Sequence, residues 1–224
     1  MLEVVHQLMA DTKSFTEVKK KILSAHENVA LENKLQFYNT WAENYEQDVA
    51  VLEYRAPLLA AECVASFFKG DKERALVLDV ACGTGLVSAH LRRMGFCQFV
   101  GVDGSDGMLD LARKTGLYQE LKQCILGQDT LPVQNGDNIV GHVPVRVIQK
   151  CFAPCDRRYV CMTTRGNADN QDYKTEMERM VRMMEEEKRW SCVTVNEVEE
   201  WERAVSEHES GYISGTVYLY QRTS

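Results

Sequence analysis

A regular alternation of strand and helix patterns between residues 75 and 116 restricts the fold more than any other feature of the sequence. Apolar runs rich in β-branched residues at 75–81 and 98–103 are typical of buried strands. Helical periodicity follows each run, at 85–95 and at 105–116. Two strands joined by a helix of this length pair in parallel, with a right-handed crossover. The alternation therefore predicts an α/β fold with a parallel sheet.

Further strand patterns extend this predicted sheet toward both edges. A weaker strand is predicted at 123–129, and three later runs rich in Val, Tyr and Thr lie at 158–165, 190–198 and 215–222. We expect the last two to pair antiparallel and to close one edge of the sheet.

Three further helices are predicted outside the alternating region. The first carries an apolar stripe of Leu31, Leu35, Tyr38, Ala42 and Tyr45. The second begins near Pro57, since proline is well tolerated in a first helical turn. The third, at 176–189, is rich in charge and is expected to bury one edge made of Met177, Met180, Val181 and Met184.

Length, charge and hydropathy limit the class of protein. With 224 residues, 45% of them hydrophobic, the chain is expected to form one domain over residues 1–224. The formal net charge of −7 opposes the positive field that binding to phosphate backbones needs, which disfavours a nucleic-acid partner. No run reaches the roughly 18 apolar residues of a membrane span. We therefore expect a monomeric cytoplasmic protein without a membrane partner, with the nucleus as a second compartment.

A glycine-rich turn follows the first strand of the alternation. In LDVACGTGLVSAH the strand ends near Asp79, and the chain turns through Gly83 and Gly85 before it enters a helix. Glycine permits positive φ and a close approach of ligand to backbone, while the first amides of the helix can bind a carboxylate or a phosphate. An ordinary structural turn is the alternative interpretation.

An acidic residue at the end of the next strand favours a nucleotide site over that alternative. Asp103 follows Gly83 by 20 residues, where a doubly wound fold places a carboxylate for the ribose hydroxyls. Ser105 is expected to cap the following helix, whose first turn carries Met108 near the place of an adenine ring.

The same spacing fits a nicotinamide cofactor, so a nucleotide-dependent oxidoreductase stays an alternative. A dinucleotide fingerprint has a third small residue that packs the helix, usually Gly or Ala, where this chain has Ser88. Asp79 at the strand end is suited to orienting the loop and a bound amino-acid ammonium group. Both details favour S-adenosylmethionine (SAM).

Three stretches of the chain resemble class I SAM-dependent methyltransferases. They are YNTWAENYEQDVAVLEYRAPLLA at 38–60, the stretch from LDVACGTG to ARKTGLYQ at 78–119, and the tail from VCMTTRGNADNQDYK to SGYISGTVYLYQR. The resemblance implies a Rossmann-like, mostly parallel sheet of seven strands, with an antiparallel C-terminal strand and helices on both faces. It also implies a core at 71–224 and N-terminal helices at 1–70 that cover the cofactor.

The resemblance also implies roles for individual residues around SAM. Asp79, Gly83 and Gly85 would contact the methionyl part, and Asp103, with Gly104 and Ser105 beside it, the ribose. Met108 with Gln128 or Asp129 would lie near the adenine. The N-terminal helix would cover the cofactor with Tyr38, Trp41 and Tyr45, for which core packing is the alternative. An aromatic ring facing the sulfonium would gain a cation–π attraction.

Methyl transfer from a sulfonium requires no enzyme nucleophile, because the leaving group is already activated and alignment can carry much of the catalysis. A general base is needed only if the acceptor must lose a proton, and His142 is a candidate beside a structural role. We assign no catalytic residue. Cys151 and Cys155 lack the second ligand pair that a zinc site needs, so no metal is expected.

The methyl acceptor is not identified by these motifs. A small molecule or a protein is favoured over nucleic acid, on the charge argument above. A non-catalytic SAM-binding regulatory module is the alternative to an enzyme.

The chain departs from the family between Pro132 and Tyr159. Only 26 residues separate them. Related enzymes carry a longer fourth strand and usually a Lys-Pro-Gly-Gly turn there, whereas this chain has only DNIVG at 137–141 and APCDRR at 153–158. We expect a truncated strand that exposes a central sheet edge and weakens both stability and SAM binding. The alternative is a short but sufficient strand followed by a helix at 143–151.

Overall fold

The computed structural model describes residues 14–26, 31–131, 138–141, 159–205 and 208–223. The α-helices in these ranges are α1 Phe15–His26, α2 Leu31–Val51, α3 Ala56–Phe67, α4 Leu86–Arg93, α5 Asp106–Thr115 and α6 Gln171–Glu186. The strands are β1 Leu76–Val80, β2 Gln98–Asp103, β3 Glu120–Gln123, β4 Asn138–Gly141, β5 Tyr159–Arg165, β6 Trp190–Arg203 and β7 Tyr212–Arg222. Within the described ranges, no helix combines the length and apolar character needed to cross a membrane.

The strands form one sheet in the order β3-β2-β1-β4-β5-β7-β6. The pairs among β1 to β5 are parallel, whereas β7 runs antiparallel to both β5 and β6. This topology confirms the predicted α/β class and the antiparallel pairing of the last two strands. β6 forms the edge of the sheet, and β7 lies inside it.

Alternating residues of the central strands face two apolar layers. Leu78 and Val80 of β1 pack in one layer with the buried methionines of α6, which confirms the predicted edge of that helix. Val77 of β1 packs in the other layer with α3 residues such as Val64. Because both layers are filled, the carboxyl ends of the strands are the part of the sheet left to build a site.

The fourth strand is short, yet it joins its two neighbours. β4 pairs with four residues of β1 and with three residues of β5, so the expectation of an exposed central edge is wrong over these residues. The side chain of Asn138 spans the gap where the ladder ends. Its Nδ2 donates to the carbonyl oxygen of Leu76 at 3.3 Å, and its Oδ1 accepts from the amide of Tyr159 at 3.2 Å. His142 and the helix predicted at 143–151 lie outside the described residues.

Two other predictions differ from the structure. The strand predicted at 123–129 is wrong: β3 ends at Gln123, and a turn follows in which Asp129 Oδ2 accepts a 2.7 Å bond from the amide of Ile125. The stripe predicted for α2 is only partly buried: Ala42 is buried, whereas Leu31 is 42% exposed. Trp41 and Asp48, which lie outside the predicted stripe, are buried as well. Trp41 Nε1 donates to Asp48 Oδ2 at 2.7 Å, which satisfies a buried carboxylate that the apolar pattern does not reveal.

Candidate functional site

The loop between β1 and α4 has an irregular backbone at the carboxyl end of the sheet. Ala81, Gly83 and Gly85 all have positive φ, at 54°, 55° and 101°. Among the described residues, a Cβ added to Gly83 would meet no atom within 4 Å, whereas one added to Gly85 would lie 3.1 Å from the ring of Tyr118. Gly83 therefore faces open space, as the backbone of a ligand-binding loop must, and Gly85 is packed against protein.

Asp103 joins this loop to the end of β2. Its Oδ2 accepts a hydrogen bond from the amide of Gly83 at 2.8 Å, and its Oδ1 accepts one from the amide of Ser105 at 2.9 Å. Burial raises the pKa of the Asp103 carboxyl above its usual value, and the backbone amides act in the opposite direction. Each carboxylate oxygen has a second lone pair, so the group can organise the loop and still accept from hydroxyl groups of a ligand.

Asp79 lies beneath the loop and is held by two side chains. Its Oδ2 accepts from Ser88 Oγ at 2.7 Å and from the Tyr118 hydroxyl at 2.8 Å. Burial raises the pKa of Asp79 to about 6, although both hydrogen bonds favour the charged form. The carboxylate thus connects β1 to α4 and to the segment between α5 and β3, and the roles of Ser88 and Tyr118 were not found from sequence. The sequence feature that indicates the packing of Tyr118 is Gly101, a glycine inside strand β2. A Cβ at this position would lie 2.8 Å from the tyrosine ring.

The start of α5 is capped as predicted. Ser105 Oγ accepts from the amide of Met108 at 3.2 Å, and Met108 itself is buried, with 2% of its surface exposed. The cap has a partner that sequence reasoning missed: Asn39 of α2 accepts from Ser105 Oγ at 2.7 Å and from the Gly107 amide at 3.1 Å. The 66 residues between Asn39 and Ser105 leave no local pattern that would reveal the contact.

The three aromatic residues predicted to cover the cofactor have different surroundings. Trp41 packs in a buried cluster with residues of α1 such as Val18, and Lys21 Nζ lies 5.8 Å from its ring centroid. This placement fits core packing. Tyr38 is 37% exposed, and its ring centroid lies 5.9 Å from that of Trp41. Tyr45 is partly buried and faces the cavity described next.

A cavity lies beside the glycine-rich loop. It is bounded by Asp79 and residues 81–84, by Tyr45 and Tyr54, by the first turn of α3, and by Thr163 of β5. Thr84 Oγ1 is buried there without a hydrogen-bond partner among the described residues. Buried polar atoms are usually paired, so this hydroxyl is available to a polar group bound in the cavity.

The cavity brings together only part of the predicted site. Asp79, Gly83 and Tyr45 line it, whereas Gly104 lies against Leu35 of α2, with only 2.8 Å between Leu35 Cδ2 and an added Cβ. Gln128 and Asp129 are exposed on the turn after β3, and the Asp129 carboxylate is bonded within that turn.

Charged and phenolic groups lie near the cavity at the end of β5. The Arg165 guanidinium pairs with the carboxylate of Glu202, which is fully buried, and Nη2 donates to Oε2 at 3.2 Å. Burial raises the pKa of Tyr45 and of Tyr54, so both hydroxyl groups stay protonated at neutral pH. Tyr45 and Tyr54 therefore present neutral hydroxyl groups to the cavity, which can donate hydrogen bonds but cannot act as a phenolate base.

Comparisons with known proteins agree with this fold. A family model described as a methyltransferase domain matches residues 77–144. Human methyltransferase-like protein 27 is 44% identical over 186 residues, which cover 79% of this chain and 76% of that protein.

Two solved structures share the fold at low sequence identity. One is a SAM-dependent methyltransferase from Leishmania major, with 13% identity, a TM-score of 0.57, and coverage of 83% of this chain and 80% of that chain. The other is the plantazolicin methyltransferase BpumL in complex with SAH, with 12% identity, a TM-score of 0.57, and coverage of 93% and 98%. Since a sheet of this order, a glycine-rich loop after β1 and a 44% identical relative agree, the chain belongs to the class I SAM-dependent methyltransferases, in the group of methyltransferase-like protein 27.

Proposed function

We propose that the chain binds SAM across the loop 81–85 and Asp103, and that it transfers the methyl group to a small molecule in the adjoining cavity. The observation that carries this proposal is the 2.8 Å bond from the Gly83 amide to Asp103, because it places an open glycine next to a carboxylate at adjacent strand ends. Ligands of open parallel sheets bind at such strand ends.

The residues present fit such a cofactor. The open side of Gly83 leaves room for a ligand to lie on the backbone, and the unpaired Thr84 hydroxyl can bond a polar group there. Asp103 has lone pairs left to accept from a ribose diol. Met108, Gln128 and Asp129 stay a hypothesis for the adenine end, since Met108 is buried and the other two are exposed on a turn.

The bound cofactor would supply an activated methyl group on a sulfonium. The protein's part is then alignment and exclusion of water. α2 lies over the β2–α5 connection through Asn39, and Tyr45 and Tyr54 narrow the cavity. Their protonated hydroxyl groups can orient an acceptor by donating hydrogen bonds, and neither can remove a proton from it at neutral pH.

A small acceptor is supported by the shape and charge of the region. The cavity is recessed between α2, α3 and the sheet, and among the described residues no Lys or Arg lines it. Arg165, at the end of β5, is paired with Glu202. Together with the net charge of −7, these features favour a small acceptor over a phosphate backbone.

Incubation with methyl-labelled SAM and a fractionated cell extract tests the proposal. We expect label in the small-molecule fraction, and much less of it when Asp103→Ala replaces the wild-type chain at a SAM concentration below saturation. Label in protein or RNA would contradict the proposed acceptor class. Calorimetric binding of S-adenosylhomocysteine without label in any fraction would instead favour the non-catalytic regulatory module. NAD binding without S-adenosylhomocysteine binding would refute the SAM site.

A further inference from the structure

Two hydrogen bonds converge on one oxygen of Asn39, a residue of α2 that does not line the cavity. Asn39 Oδ1 accepts from Ser105 Oγ at 2.7 Å and from the Gly107 amide at 3.1 Å. The Gly107 N–H can only donate, so the amide oxygen of Asn39 must be the atom that faces it. The contact therefore depends on an acceptor at position 39 and has a defined orientation.

These bonds belong to a continuous network that reaches the glycine-rich loop. Ser105 Oγ contacts Asn39, the amide of Ser105 donates to Asp103 Oδ1, and Asp103 Oδ2 accepts from the amide of Gly83. Helix α2, the β2–α5 connection and the β1–α4 loop are thereby linked. A displacement of α2 would therefore shift Ser105 and change its hydrogen bond to the Asp103 carboxylate.

Close backbone packing accompanies the network. A Cβ added to Gly107 would lie 2.7 Å from the carbonyl oxygen of Asn39, and one added to Gly104 would lie 2.8 Å from Leu35 Cδ2. α2 is therefore seated directly on the connection, and only glycine at position 107 allows this separation.

Apolar burial fixes the first half of α2 less firmly than the second half. Leu31 is 42% exposed and Tyr38 is 37% exposed, whereas Trp41 and Val49 are buried against α1 and its surroundings. The polar contact at Asn39 lies in the weakly buried half. It is suited to holding that half of α2 against the connection.

We propose that Asn39 is a positioning residue for cofactor binding. Its side-chain oxygen holds α2 over the β2–α5 connection. The inference rests on the proposed SAM site. Asn39 touches no reacting atom in this scheme: it acts through Ser105 and Asp103. Without the Asn39 oxygen, α2 is released from the β2–α5 connection, and the cofactor loses part of its cover.

Four single variants separate this role from a general structural one. Asn39→Leu removes the acceptor, and Asn39→Asp keeps it. Asn33→Leu makes the same change at another exposed residue of α2. Gly107→Ala pushes α2 away and leaves Asn39 intact. Asn39 and Asn33 are exposed, so their replacement empties no core volume. We expect all four chains to fold.

Calorimetry with S-adenosylhomocysteine and steady-state kinetics give the first readout. The loss of two hydrogen bonds predicts about tenfold weaker binding for Asn39→Leu, with a raised KM for SAM and little change in kcat. We expect Gly107→Ala to bind weakly too, and Asn39→Asp and Asn33→Leu to bind like wild type. Wild-type affinity in Asn39→Leu, or no rescue in Asn39→Asp, would overturn the inference.

Hydrogen exchange of the ligand-free proteins tests, without the cofactor, whether Asn39 holds α2 against the β2–α5 connection. Amides of residues 35–40 should exchange faster in Asn39→Leu than in Asn33→Leu or wild type. Equal exchange would overturn the role of Asn39 in holding α2. A wild-type chain that binds no S-adenosylhomocysteine would refute the proposed SAM site instead. Faster exchange in Asn39→Leu would then still support the role of Asn39 in holding α2.

Discussion

The carboxylate of Asp103 and the backbone amide of Gly83 are joined by a 2.8 Å hydrogen bond across 20 residues of sequence. The bond links the ends of two neighbouring parallel strands, β1 and β2. One side chain therefore both shapes the glycine-rich loop and remains available to a ligand. Substitution of Asp103 should affect both properties, and the choice of substitution can separate them.

Asp103→Ala is expected to weaken binding of S-adenosylhomocysteine roughly 10- to 100-fold, or about 1.5–3 kcal/mol, through lost charge-assisted hydrogen bonds. It also leaves the amides of Gly83 and Ser105 without their acceptors, so the melting temperature should fall. Asp103→Asn keeps one acceptor oxygen and should lie between wild type and Asp103→Ala. Calorimetry and thermal unfolding measure both effects, and wild-type affinity in both variants would refute the ribose assignment.

Gly85→Val is expected to abolish cofactor binding and to lower the melting temperature. The φ of 101° is unfavourable for any residue with a Cβ, and that Cβ would lie 3.1 Å from Tyr118. Gly95→Val is a matched control, since Gly95 has a φ of 100° and its added Cβ would meet only Lys72, at 3.8 Å. If Gly85→Val binds S-adenosylhomocysteine as well as Gly95→Val does, the loop at Gly85 is not the cofactor site.

Asp79 should make the stability of the protein fall as the pH rises from about 4 to about 6. Burial raises the pKa of this carboxyl to about 6 in the folded protein. In the unfolded chain the pKa is about 3.9, so between these values the folded state holds a proton that the unfolded state releases. The free energy of unfolding should therefore decrease by about 3 kcal/mol across this window.

Asp79→Asn removes this titration and leaves the other carboxyl groups in place. Urea unfolding of both chains from about pH 4 to about pH 7 should show the difference in free energy, Asp79→Asn minus wild type, increasing by about 3 kcal/mol. A difference that stays constant with pH would show that the pKa of Asp79 is not raised in the folded protein.

Asn138→Ala is expected to destabilise the sheet by about 1–3 kcal/mol, because it removes a hydrogen bond from each of two partly buried backbone groups. These are the carbonyl of Leu76 and the amide of Tyr159. Denaturant unfolding measures the loss. An unchanged free energy of unfolding would show that water replaces the side chain at both positions.

A longer apolar fourth strand should raise both the melting temperature and the affinity for S-adenosylhomocysteine. Among the described residues, β4 pairs with Val160, Cys161 and Met162, whereas β5 runs on to Arg165. A longer β4 could therefore extend the ladder along β5. The comparison needs this chain and a version with the strand restored. Equal melting and binding would establish that four residues are sufficient.

The sequence predicts the elements whose stability depends on local pattern. β1, β2, α4 and α5 lie within two residues of their predicted bounds, because each has a clear apolar pattern and the connections between them carry glycine or serine. The strand predicted at 123–129 is instead a turn around Asp129, where apolar residues hide a side-chain bond to the backbone.

The contacts that complete the site depend on residues far apart in sequence. Asn39 and Tyr118 reach Ser105 and Asp79 across 66 and 39 residues. The buried pair of Arg165 and Glu202 is separated by 37 residues. Each of these residues is common on protein surfaces, so its type carries no signal until the fold brings its partner near.

The interior position of β7 has a consequence for biosynthesis. β6 has β7 as its partner among the described strands, and one side of β5 is also closed by β7. As the chain leaves the ribosome, β5 and β6 thus emerge before the strand that joins them, with unpaired backbone groups that can recruit other chains. The nascent protein should therefore need chaperone protection until residue 222 is released, and mutations that slow the docking of β7 should reduce soluble yield more than they reduce equilibrium stability.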